Sequence, residues 1–268
     1  STTSHQTTGS GDMRFLAATD ITLGGVATTT GNVSVTATAG TILDGDSDGS
    51  VDIAANGLRL FAGTGIGQLG GSVNPLETTV TTVSARAAGG GINLRETNDL
   101  IVGDVSVTIQ KVGATGAVSA VTDATQSDVR TTAGGGSIVV RTAGGALVLN
   151  DGSALADNAA VSANGGGNVL LEAIGAGMDV TANADVVSGG GHITILAARS
   201  VVFTANADLT TGSTGTIDLE AGSGSVTFST TSHQTTGSGD MRFLAAEDIT
   251  LGGVATTAGS VSVTATAG

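Results

Sequence analysis

The sequence predicts an all-β fold, a parallel three-sided β-solenoid with about nine coils in each 228-residue repeat. Three observations lead there. Residues 229–268 repeat residues 1–40 at an offset of 228, with three differences: Thr19 against Glu247, Thr30 against Ala258 and Asn32 against Ser260. Inside that long period a short one recurs: GNVLLEAI, GHITILAA, GTIDLEAG and GDMRFLAA start at Gly167, Gly191, Gly215 and Gly239, 24 residues apart each time. Within each segment the side chains alternate, as in a strand with one dry face and one wet face.

Along the chain, earlier copies of the segment start at Gly11, Gly31, Gly57, Gly91 and Gly136. The successive intervals are 20, 26, 34, 45, 31, 24, 24 and 24 residues, and the 45 reads as two coils. In the regular coils the dry parity holds Val169/Leu171/Ala173, Ile193/Ile195/Ala197, Ile217/Leu219/Ala221 and Met241/Phe243/Ala245. A second strand follows about eight residues later (GMDVTA, SVVFTA, GSVTFS, DITLGG) and a weaker third after it (ADVVSG, ADLTTG). Gly and Asn at the corners tolerate the positive φ of tight turns. Stacking like over like predicts an amide ladder of Asn183 over Asn206. A β-sandwich array also has short alternating strands, but it does not predict equal 24-residue spacing.

Two stretches break the rhythm and read as insertions, near 66–90 with the only proline, Pro75, and near 110–130 with a GATG turn. Gly215 and Gly239 keep their step across Ser229, so residues 1–228 form one full repeat and 229–268 begin the next within a continuous solenoid. Nine coils at the strand spacing make a repeat roughly 43 Å long. The chain begins without Met and stops inside a strand pattern, which predicts a longer parent.

Composition narrows the function. There are 44 Gly, one Pro, no Cys, Trp or Tyr, and a single lysine, Lys111. Collagen needs a strict Gly-X-Y period with abundant Pro. A net charge of −14 disfavours nucleic acid and anionic membrane surfaces, both of which need cationic groups. No apolar run is long enough to insert in a membrane as a helix. The five Phe are Phe15, Phe203, Phe228 and Phe243, assigned inward, and Phe61, assigned outward. With no Tyr or Trp platform a sugar-cleaving groove is hard to build, so the expectation is no enzyme.

The coil pattern, with AGTGIG and NPLETTVTTVSARAAGGGINLRETNDLIVG, resembles the haemagglutinin-like repeats of giant bacterial surface proteins of the filamentous haemagglutinin type. That resemblance implies a right-handed parallel β-helix, export to the cell surface, and adhesion, cell contact or sheath formation.

The sharpest local motif is Asp44-Gly-Asp46-Ser-Asp48-Gly49-Ser-Val-Asp52. Carboxylates at relative positions 1, 3, 5 and 9 with Gly at 6 match the front of an EF-hand loop, so Asp44, Asp46, Asp48 and Asp52 are candidate calcium ligands. The closing Glu at position 12 is replaced by Ala55, and the alternative is a solvated acidic turn. Asp185 and Asp208 are expected to stack and fan into water. His5, His192 and His233 have no second ligand at zinc spacing and are expected at the surface. The Gly-rich runs lack the Lys-Ser/Thr of a phosphate loop.

The functional expectation is a structural segment of an extracellular filament or stalk on a bacterial cell surface. Its expected partner is itself, through neighbouring repeats or end-to-end copies. The alternative is an adhesin whose insertions bind a cell-surface partner.

Overall fold

Alternating Val, Ile and Leu with Gly-rich corners produce short strands that cannot bury their apolar face alone, so each coil needs the next. The computed structural model describes residues 4–46 and 48–267, among which there are strands and no helix. Twenty-eight strands join one continuous sheet and two form a hairpin of their own. Every pairing in the large sheet is parallel; for example Val169–Ala173 stacks on Ile193–Ala197 and that on Ile217–Ala221. This is the parallel β-solenoid expected from the sequence.

One inward ladder runs through the whole stack without a break. Its rungs are Ile21, Ile42, Ile66, Ile92, Ile138, Val169, Ile193, Ile217, Met241 and Val261. All rungs from Ile42 to Met241 are at most 2 % exposed. Each buried Val, Leu or Ile contributes roughly 1.5–3 kcal/mol, so the stack is held by a column of small equal increments. Phe203, Phe228 and Phe243 add an aromatic stack, with ring centroids 4.8 Å and then 5.8 Å apart. Phe61 faces outward, beneath the Arg86 guanidinium at 5.8 Å.

The ladder sharpens the coil count. Met241 repeats Met13, yet Met13 pairs with Val33 while Met241 stands on the ladder of Ile21. Eight circuits separate Ile21 from Met241, and the strand Met13–Ala17 lies one side before Ile21. The 228-residue repeat therefore holds about eight and a third turns, and the same sequence returns one side further round the prism.

The extra third has a location. Residues 57–62 and 82–87 stack on the same side, Leu58 on Val83 and Leu60 on Ala85, so the 34-residue interval from Gly57 to Gly91 contains a full circuit plus one side. Ile92 pairs with Ile138, so the 45-residue interval is a single circuit and not two. Its surplus length is the antiparallel hairpin of Val105–Val112 and Val118–Gln126. The long strand Leu76–Ala87 marks the change of phase. Val83 pairs onward with Val102, and Ala85 with Val129, so a new corner opens between them and the hairpin leaves through it.

The first insertion is thus smaller than the sequence suggests, and the second begins earlier, at Val105. Of 66–90, only residues 67–75 leave the wall, closed by a bridge between Gln68 and Asn74. Of 110–130, the hairpin leaves the wall and Val129–Thr131 rejoins it.

Two corner expectations are refined. Positive φ falls on Gly91, Gly134, Gly135, Gly165 and Asn158, as expected of corners, but the phase-marking glycines 167, 191, 215 and 239 do not have it. They are required by close stacking: a Cβ at Gly239 would meet the Gly215 carbonyl oxygen at 1.9 Å, and one at Gly191 that of Gly167 at 2.2 Å. The amide ladder forms elsewhere: Asn183 Nδ2 donates to Asn150 Oδ1 at 2.8 Å, not to Asn206. The strand Val180–Ala182 steps by 21 residues to Val201–Phe203, so the two TANAD motifs are out of register there.

Candidate cation site and lateral hairpin

Corner carboxylates have a common task in this fold. Asp12 accepts the N–H of Asn32 on the coil above, Asp20 that of Thr41, Asp99 that of Ala146, and Asp240 that of Ser260, at 2.7–2.9 Å. The Asp185–Asp208 stack belongs to the same set. Asp208 N–H donates to Asp185 Oδ1 and His233 N–H to Asp208 Oδ1, each at 2.8 Å. At these corners the new coil brings an N–H that the preceding coil must satisfy, and a short acceptor side chain does so. Much of the chain's acidity is therefore used in stacking, a role the sequence reading missed.

The Asp44–Asp52 loop departs from that pattern. It joins the strand Ile42–Asp44 to the wall at Asp52, and Ser47 lies outside the described residues. The four expected ligands separate into two pairs. Asp46 and Asp48 turn onto their own loop, accepting the N–H groups of Asp48 and Ser50 at 3.3 and 2.8 Å. Asp44 and Asp52 point inward, 8 % and 2 % exposed, and are joined by Glu77 at 6 %, which the sequence reading had not singled out. One carboxylate oxygen from each of Asp44, Asp52 and Glu77 lies within 4.8 Å of the others.

Glu77 reaches the cluster because the wall resumes at Leu76 after the 67–75 excursion. Asp52 Oδ2 accepts the Glu77 N–H at 3.0 Å, which locks the two coils together. Glu77 Oε2 is buried with no hydrogen-bond partner among the described residues. Burial, with Asp44 alongside, pushes the Asp52 carboxyl up to about 8. The same two causes raise Glu77, which Arg95 opposes. Three acids held this close in a low dielectric must bind protons or a cation. Their separation suits a hard ion with oxygen ligands at about 2.3–2.6 Å. The signal for Glu77 was not legible, because it stands 25 residues from Asp52 on another coil.

Glu77 also lines a cleft of about 560 Å³ between the acidic loop and the 67–75 excursion, with Asp48, Asn93, Arg95 and Arg141. A second carboxylate group, Asp128, Asp151 and Asp157, sits at the base of the hairpin. Asp128 there is satisfied, accepting from the Gly152 N–H at 3.0 Å and the Ser127 hydroxyl at 2.7 Å. His192 and His233 are exposed, and neither His192, His233 nor His5 enters a carboxylate group of this kind among the described residues.

The hairpin is the largest lateral feature. It folds back over the long side of the first three coils. Val105 lies against Gly57 on the third coil, Ser106 C=O accepts from Asn32 Nδ2 on the second, and Thr108 N–H donates to Asp12 Oδ2 on the first. Its return strand places Asp123 between two of those coils, taking Arg14 Nε at 2.8 Å and the Ser34 hydroxyl at 2.7 Å. Gln126 Nε2 donates to Leu60 C=O at 2.8 Å. The tip overhangs the first coil and is exposed from Lys111 to Ala120, with Val112 and Val118 at 66 % and 61 %.

No protein-family model, no curated protein and no solved structure matches this sequence.

Proposed function

We propose that the chain is a structural segment of a long extracellular filament or stalk on a bacterial cell surface, built by coil-on-coil β-stacking. The observation that carries this reading is continuity across the repeat boundary. Phe203 stacks on Phe228, Ser229 N–H donates to Phe203 C=O at 2.9 Å, and Ile217 stacks on Met241 and then Val261. A repeat that shares one core with its successor has no reason to exist singly. The surface location rests on the phrases that resemble haemagglutinin-like repeats.

Imaging of the parent filament tests the reading. The expected axial repeat is about 40 Å, from eight and a third coils at about 4.8 Å. Beads of separately folded 228-residue domains, or a monodisperse compact monomer of this segment, would overturn it. Protease shaving of intact cells tests the location.

We further infer that calcium occupies the Asp44–Asp52–Glu77 cluster and staples the acidic loop to the next coil. The unpartnered Glu77 Oε2 supports this. Calcium should raise the melting temperature of the native chain and leave Asp52→Asn/Glu77→Gln unchanged; equal responses would remove the assignment. The adhesin reading keeps one supporting observation, the charged cleft beside Arg95 and Arg141, and predicts that cell binding falls on Arg95→Ala without loss of stability.

A further inference from the structure

The hairpin is held by residues that occur twice. Asp12 takes the Thr108 N–H, and Arg14 and Ser34 take Asp123. In the second copy the same positions are Asp240, Arg242 and Ser262. Their backbone is arranged as in the first: Met241 pairs with Val261 as Met13 pairs with Val33, and Asp240 Oδ1 accepts the Ser260 N–H as Asp12 Oδ1 accepts that of Asn32. What differs is the cover. No hairpin lies over Arg242, which turns onto Asp218 and Glu220 of the coil below, and an open groove of about 330 Å³ runs past Asp240, Arg242 and Ser262.

We propose that Asp240, Arg242 and Ser262 form the seat of the hairpin belonging to the next 228-residue repeat, which clamps that repeat onto this one. The proposal rests on the filament reading. It follows that successive hairpins step about a third of a turn round the prism, because the second copy lies one side further round than the first.

The hairpin's dimensions fit this seat. Its descending strand crosses a coil every one to two residues, at Val105, Ser106 and Thr108, as a rise of about 3.3 Å against a coil spacing of about 4.8 Å requires. Residues 109–112 then extend about two to three coils beyond the one that binds Thr108. Near the tip Val112 and Val118 are 66 % and 61 % exposed. Below the second copy there are coils at that depth. They present Asp218 and Glu220, then Thr194 and Leu196, then Leu170, outward on the same side. The acidic pair suits the tip's Lys111, the only lysine of the chain, and the leucines suit the two valines. Arg242 is placed to bridge Asp218 and the incoming counterpart of Asp123. Of the polar contacts that residues 1–40 make to the hairpin, only the Asn32 amide is missing in the second copy, replaced by Ser260.

A chain continued through a complete second repeat tests this, helped by the absence of cysteine. Ser34→Cys with Asp123→Cys, whose side chains touch at 2.7 Å, should form a disulfide on oxidation. Ser262→Cys with a cysteine at the second repeat's counterpart of Asp123 should do the same. The unmodified two-repeat chain supplies a second readout. A lysine-specific protease should cut at Lys111 at least tenfold faster than at its second-repeat counterpart, whose tip lies on coils. Equal cleavage, with only the first cysteine pair forming, overturns the seat while leaving the filament reading intact. Two independent melting transitions would instead remove the filament reading.

Discussion

Residues 1–40 and 229–268 differ at only three positions, yet opposite halves of the two copies are buried. In the first copy Val33 and Val35 are fully buried while Met13 and Phe15 are only partly covered. In the second, Met241 and Phe243 are at 1 % and 0 %, while the counterparts of Val33 and Val35, Val261 and Val263, stand 44 % and 46 % exposed. Gln6 bonds Ser4 near the surface, but Gln234 is completely buried with neither amide atom satisfied among the described residues. The difference teaches that burial here belongs to the neighbouring coil and not to the segment. Each strand has two edges, and identical sequences at opposite ends of a stack show opposite edges to water.

Matched substitutions break the comparison most sharply. Val35→Asp buries a charge and should cost about 4 kcal/mol or more, whereas the same change at Val263 should stay within about 0.5 kcal/mol. Denaturant melts with amide exchange of the affected coil read this. Equal costs would remove the edge argument. Phe243→Ala should cost about 3–5 kcal/mol as the aromatic stack loses a member, and Phe15→Ala clearly less.

Gln234→Leu should stabilise by about 1–3 kcal/mol, because two unsatisfied groups are removed beside Leu209 and Val254. Gln6→Leu should be neutral. A destabilised Gln234→Leu chain would mean that the amide has a partner in solution.

The pH dependence sharpens the contrast between the acidic loop and the corner carboxylates. The folded Asp52 value of about 8 lies above the ordinary 3.8. In chelator, its contribution to stability is complete below the ordinary value and is lost as the pH rises through about 8. Asp52→Asn should flatten that fall, and calcium should stabilise the native chain more at pH 8 than at pH 5. Asp179 is the opposite case: the Arg199 guanidinium beside it holds its carboxyl below the usual range. The smallest effect is expected at Glu220→Lys, an outward position beside Arg242, within about 0.5 kcal/mol.

The regular coils were legible because their spacing and their alternation agree. Val169, Ile193, Ile217 and Met241 could be placed on one ladder from the sequence alone. The three substituted pairs could be placed at corners or on the wet face, where Thr19, Glu247, Thr30, Ala258 and Ser260 are exposed and Asn32 is half-buried. The site was half legible. Asp44 and Asp52 belong to it, but Asp46 and Asp48 satisfy their own loop, and Glu77 arrives from another coil. Local spacing shows which carboxylates share a turn; it does not show which one a neighbouring coil will deliver.

The sequence by itself determined that the chain is β, that its strands are short and one-sided, and that one repeat runs into the next, because period-two alternation and equal glycine spacing are local properties. Tertiary structure alone decided the phase. The 45-residue interval holds one circuit and a hairpin, the 34-residue interval holds a circuit and a side, and their sum turns each repeat by about a third. Interval lengths cannot distinguish residues that travel round the wall from residues that leave it; only the partner one coil away does that, through the hydrogen bonds it shares.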